Sequence, residues 1–178
     1  MKTDVNTIAN VSDIANEMVA ALGVEVVSIE RFAEVTGAHA ALLKGSAGVY
    51  CSHNDFIAVS RTSTFNNRDF TVFHELAHST GSVKRLARDT MVRASQGVYP
   101  TKKEYATEEM IAQRAAAKLC VGFELIPQSV ADDLVNNYAF MYPDEETEIS
   151  LMEVDKVVNY MLTKLKEYRN GTEGRVAK

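Results

Sequence analysis

A chain of 178 residues, 46% apolar and 24% charged, is long enough for one domain with a substantial core. No stretch of it approaches the roughly 20 consecutive apolar residues needed to cross a bilayer, which excludes a membrane-spanning role. A net charge of −5, with no basic run longer than Lys102-Lys103, argues against nucleic acid as the main partner, although Lys84, Arg85, Arg88 and Arg93 form a local basic group.

Ile8, Val11, Ile14, Ala15, Met18, Val19 and Leu22 recur at helical spacing, and Gly23 stands where a helix-ending glycine belongs. Next come two readings that local pattern does not separate: a strand over Val24 to Ile29, or a short helix capped by Ser28 and ended by Gly37. Ala47 to Ser60 reads as a hairpin with His53-Asn54-Asp55 at its turn. Asn66 or Asn67 is placed to cap a helix from about Arg68 to Thr80, which Gly81 closes. Residues 82–103 are polar and carry Gly97 and Pro100, so an irregular surface excursion is expected there. A helix from about Glu104 or Thr107 to Cys120 follows, and then one through Val130, Leu134 and Val135, bounded by Pro127 and Asp132-Asp133. Tyr142-Pro143-Asp144-Glu145-Glu146 reads as an acidic turn before a last amphipathic helix from Leu151 to Leu165. The whole is a single α+β domain over residues 1–169, helix-rich with a small sheet or hairpin, and residues 170–178 form a polar tail expected to fray.

Chemistry concentrates at His74-Glu75-Leu76-Ala77-His78. Histidines at i and i+4 stand one above the other on a helix face, so both imidazoles can bind one metal ion, zinc being the expected one. Glu75 points to a neighbouring direction, where it can accept a proton from a water without being a ligand. A third ligand has two candidates, Glu108 and Glu109. Glu109 is preferred on a resemblance to the glutamate-zincin arrangement, in which a polar residue four positions after the ligand glutamate holds a ligand histidine: Gln113 stands there after Glu109, whereas Ala112 does after Glu108. Tyr105 either directs its phenol to a developing oxyanion or packs at a helix start.

His74 to Gly81, then Arg85-Leu86-Ala87-Arg88, then Tyr105-Ala106-Thr107-Glu108-Glu109-Met110-Ile111-Ala112 resembles the metallopeptidase domain of ArdC-like antirestriction proteins and phage polyvalent proteins, over roughly Val49 to Leu125. The resemblance implies a zincin-like fold of glutamate-zincin type, with His74, His78 and Glu109 as ligands of one zinc ion and Glu75 as general base. It further implies a protein or peptide substrate and a phage or mobile-element factor acting on host defence. Gln113 departs from the family's glutamate at that place. Larger members carry an N-terminal single-stranded-DNA-binding domain, for which the segment ahead of the hairpin is expected to be too short. Two rivals stand beside this reading. One is a non-proteolytic, metal-stabilised interaction protein. The other is a regulator-cleaving peptidase of the ImmA/IrrE type, which shares Phe-x-x-x-His-Glu-Leu-x-His from Phe70 but fits Ser79-Thr80-Gly81 and Arg85-Leu86 less well.

The remaining reactive side chains have plainer expectations. His53 is a solvated turn residue, and His39 lacks a partner at ligand spacing. Arg85 and Arg88 are expected to hold the loop after the motif helix through carboxylate pairs. Cys51 and Cys120, in apolar surroundings, are expected to be reduced core thiols, and Met1-Lys2-Thr3-Asp4 opens no apolar leader, so the cytoplasm is the expected compartment. The strand Phe56 to Ser60 is either a sheet edge that accepts an extended peptide or an ordinary core strand.

Overall fold

A computed structural model describes residue 8 and residues 10–37, 46–60, 68–139 and 151–176. Ser12 caps helix α1 (Asp13–Leu22) through its Oγ, and Gly23 ends the helix in the left-handed region at φ 62°. Ile8 is buried but precedes the helix. Its N–H donates to Asn16 Oδ1 at 2.8 Å, so the apolar period runs one turn further back than the helical backbone. The two readings of the next segment are both present in succession: strand β1 (Glu25–Val27), then helix α2 (Ile29–Thr36), with Ser28 Oγ at the N-cap and Gly37 at φ 67°.

Strands β2 (Gly48–Cys51) and β3 (Phe56–Val59) form the expected hairpin, with Gly48 opposite Val59 and Cys51 opposite Phe56. Strand β1 then pairs in parallel with β3, so the sheet order is β1-β3-β2. This decides between the alternatives for Phe56 to Ser60. β3 is the central, buried strand, and β1 and β2 are the edges among the described strands. Alternation along β3 serves two cores: Ile57 and Val59 join the main cluster, while Phe56 and Ala58 pack with Phe32 and Cys51 beneath α2. A sheet covered on both faces needs a continuous apolar strand, which is what Phe-Ile-Ala-Val supplies.

Helix α3 (Arg68–Ser79) is buried from Phe70 to its end. Helix α4 (Asp89–Ser95) interrupts the segment expected to be irregular. Helix α5 (Lys102–Gly122) starts earlier than its apolar face because Thr101 and Glu104 form a reciprocal capping box. Helices α6 (Gln128–Ala139) and α7 (Leu151–Val176) complete the chain order. Helical backbone in α7 continues beyond Asn170, where a frayed tail was expected, and Arg169 in its exposed part pairs with Glu17 of α1 at 2.6 Å. The expected cap at Asn66 or Asn67, the acidic turn at Tyr142 to Glu146, and His39 lie outside the described residues. Among the described residues no helix is long and apolar enough to cross a membrane.

The main core joins α1, α3, α5 and α7, and α3 packs on α5 more extensively than any other pair of elements. Small side chains make that approach possible. Ala112 and Ala116 lie three and seven positions beyond Glu109, on the same face of α5, and both are fully buried. Cys51 and Cys120 are free and buried, and burial pushes the Cys120 thiol up to about 12, as expected of an inert core thiol.

One cluster ties the hairpin to the turn after α3. Asp55, at φ 59°, accepts from Tyr50 Oη (3.0 Å), Arg85 Nη1 (2.6 Å) and Lys84 Nζ (3.1 Å). Arg85 also donates to the carbonyls of Ser79 and Leu22. Burial favours the neutral acid, but the Arg85 guanidinium outweighs it and holds the Asp55 carboxyl below its usual range. A depressed folded-state pKa adds stability that is full above the unfolded value, about 3.9, and is lost as pH falls through the folded value. Asp55→Asn is therefore expected to be less stable than the wild type at neutral pH, with the gap in urea midpoint closing only below about pH 4. A gap that stayed constant down to acid pH would show that the Asp55 charge adds nothing.

Candidate metal centre

Helix α3 presents His74 and His78 one turn apart, and α5 presents Glu109 opposite them, all three buried. The two Nε2 atoms stand 3.1 Å apart, Glu109 Oε2 lies 3.4 Å from His74 Nε2, and Glu109 Oε1 lies 3.3 Å from His78 Nε2. These spacings carry meaning. Each imidazole is met by a different oxygen of Glu109, and one donor atom from each of the three residues lies within 4.8 Å of the others, so that a single ion could be held between them. Electrostatics point the same way. Burial favours neutral Glu109, yet the two imidazoles hold its carboxyl well below the usual carboxylate range. For His78, burial opposes protonation, and the carboxylates of Glu109, Glu75 and Glu108 outweigh it and raise its pKa. Positive charge is favoured at the point where the three side chains meet. The donor set, two imidazoles and a carboxylate, fits zinc.

Glu75 stands beside this group and is held from the opposite side. The Tyr50 backbone N–H donates to its carboxylate, and Gly48 of the edge strand abuts it so closely that an added Cβ would meet Glu75 Cγ and Oε1 at 2.9 Å and Thr71 Cγ2 at 2.8 Å. Only glycine leaves Glu75 where it is. Burial raises the Glu75 pKa despite the nearby histidines.

The residues profiled as a zincin-like metallopeptidase, the family MPTase-PolyVal, match residues 27–150 of the chain. The chain belongs to this family. Its class is that of metal-dependent peptidases, and the matched segment holds the motif helix, the edge strand and Glu109 together. No curated protein and no solved structure matches the chain.

Within this zincin-like domain, the neighbouring glutamates have separate partners. Glu108 accepts from Arg88 Nε at both of its oxygens, at 3.1 and 3.0 Å. Arg88 further donates to Thr80 Oγ1 (2.7 Å) and to the Ala77 carbonyl (3.1 Å), closing the C-terminal end of α3. Both arginines of the Arg-Leu-x-Arg segment are thus struts, as expected from sequence. Gln113 differs from expectation. It is buried on the lining of the site, but its Nε2 donates to the Leu134 carbonyl of α6 at 3.0 Å, which ties a third helix to the metal centre. Tyr105 is 46% exposed at the mouth of the cleft. His53 is exposed in the hairpin turn, with Nδ1 3.0 Å from the Ser95 carbonyl of α4. Sequence reasoning missed Gly48, and read Gly81 only as the end of the motif helix. An added Cβ on Gly81 would meet Met91 Cγ at 2.5 Å, so this glycine lets α4 close over the end of α3.

Proposed function

We propose that the domain is a zinc-dependent endopeptidase in which His74, His78 and Glu109 hold the metal and Glu75 is the general base. The observation that carries this reading is the convergence of three buried donors within 4.8 Å of one another beside a separately anchored carboxylate. A zinc ion held there would lower the pKa of water toward about 7 and polarise a peptide carbonyl. Glu75 accepts the proton of the attacking water on its carboxylate and passes it to the leaving amine nitrogen. The Tyr50 N–H and the wall at Gly48 keep the Glu75 carboxylate from swinging away between the two transfers. Edge strand β2 lines the cleft and offers extended backbone for a peptide to lie along. Tyr105, at the mouth, is the candidate donor to the carbonyl oxygen as it gains charge.

The likeness of the three motif segments to ArdC-like and polyvalent proteins supports a phage- or mobile-element-encoded factor that acts on host defence in the cytoplasm. Glu75→Gln is expected to lower kcat/KM for an unstructured protein substrate by about 10²- to 10⁴-fold while zinc content stays unchanged. Cleavage as fast as that of the wild type would sink the mechanism. A host-defence effect that survived Glu75→Gln without proteolysis would instead favour the metal-stabilised interaction protein.

A further inference from the structure

The peptidase reading names a bond but no side chain. A cleft of about 870 Å³ opens over the metal centre, large enough for a short peptide segment. Of its charged groups, Glu75 and Glu109 belong to the site and Glu108 is neutralised by Arg88, which leaves Lys102 as the remaining charge on the lining. Much of the remaining lining is apolar or aromatic: Phe70, Met91, Tyr99, Pro100, Tyr105 and Leu134, drawn from α3, α4, the turn before α5, α5 and α6.

The tyrosines are unusual for where they sit. Tyr99 is 91% exposed and Tyr105 46%, so two large rings stand in solvent at the mouth of the cleft. Neither is on a loose segment. Pro100 restricts the backbone next to Tyr99, and the Thr101–Glu104 capping box fixes the first turn of α5. Arg93 pairs with Glu104 and so ties α4 to α5. An aromatic ring held exposed at a cleft loses little further freedom when it is covered by a ligand, which is why tyrosines anchor recognition surfaces. Opposite them Met91, set against the Gly81 backbone, supplies an unbranched, polarizable side chain that adapts to the shape beside it.

We infer that the cleft selects peptide segments bearing a large apolar side chain, aromatic or long aliphatic, next to the bond presented to the metal centre, with that side chain seated against Met91, Tyr99 and Tyr105. The inference rests on the peptidase reading for its ligand backbone, but its test is a binding measurement. Zinc-loaded Glu75→Gln protein is titrated with end-blocked hexapeptides that differ only at one central residue: Phe, Leu, Gly, Asp or Lys. The Phe and Leu peptides are expected to bind about tenfold or more tighter than the Gly peptide. Adding Met91→Gln or Tyr99→Ser to that protein brings the Phe-to-Gly ratio toward one, with zinc content and thermal melting unchanged. Equal affinity for Phe and Gly peptides overturns the inference, as does a preference for Asp or Lys, or no binding by any peptide. Hydrolysis by the wild type without side-chain preference would leave the peptidase standing and this inference fallen. Selective binding without hydrolysis by the wild type would do the reverse.

Discussion

His78→Ala and Glu109→Ala are each expected to purify without zinc under conditions where the wild type carries close to one ion per chain. Two buried donors remain in either variant, and the lost one comes from a different helix in each case. Loss of an outer-shell partner alone typically costs 10- to 100-fold in metal affinity, so removing a ligand should cost about 100-fold or more. Elemental analysis after dialysis against zinc reads the result directly. Glu108→Ala is the control: it lies one residue from Glu109 but is engaged with Arg88, so it should keep its zinc and lose only stability. A wild type that took up no zinc, or a Glu109→Ala variant that retained it, would refute the proposed ligand set. A chelator should also lower the melting temperature of the wild type and leave that of His78→Ala unmoved, because an ion bound only by the folded state stabilises it by mass action.

Arg88→Ala is expected to cost about 3–5 kcal/mol of folding stability, a large share of what a domain of this size possesses. Side chains of Arg88 and Glu108 are 8% and 7% exposed. Removing the guanidinium therefore leaves a buried carboxylate without its counter-charge, and takes one donor each from the Thr80 hydroxyl and the Ala77 carbonyl, which keep the bond between them. Urea denaturation would measure the loss. Arg88→Met combined with Glu108→Leu should recover much of it, since a pair replaced by apolar side chains leaves no stranded charge. A loss below about 1 kcal/mol for Arg88→Ala would mean that water reaches Glu108 readily and that the strut is dispensable.

Most elements were legible because their signals are local. Ser12 and Gly23, Ser28 and Gly37, and the hairpin over Ala47 to Ser60 each write a cap or a turn within a few residues. The i, i+4 histidines and the downstream glutamate pair were equally local, since neighbouring residues on a helix point about 100° apart and only one glutamate can face α3. Sequence favoured Glu109 through Gln113, yet in the structure Gln113 holds α6 and it is Arg88 that takes Glu108 out of contention. That pairing joins residues 20 positions apart and leaves no periodic trace. Helix α4 was missed because none of its residues is buried, so it has no apolar stripe to reveal it. Sheet order was hidden for a similar reason. β2 and β3 are both apolar, and the choice of edge is made by β1, a distant strand joining in parallel. Gly171 reads as a helix breaker at about 1 kcal/mol relative to alanine, and α7 runs through it.

The alanines behind Glu109 set the gauge of the metal centre. Helix axes stand about 8–10 Å apart according to the side chains between them, and small residues such as the buried Ala112 and Ala116 favour the short end of that range. The bite of the three donors is thereby dictated from the dry side of the helices, by residues that never meet the ion. Zinc bonds of about 2.0–2.1 Å suit a narrow bite, whereas calcium bonds of 2.3–2.6 Å call for a wider one. Enlarging either alanine would pry the ligands apart without altering one of them. Selectivity among cations is therefore expected to depend on this hydrophobic packing, so that a larger side chain at Ala112 should change which ion the domain takes up while the motif stays intact.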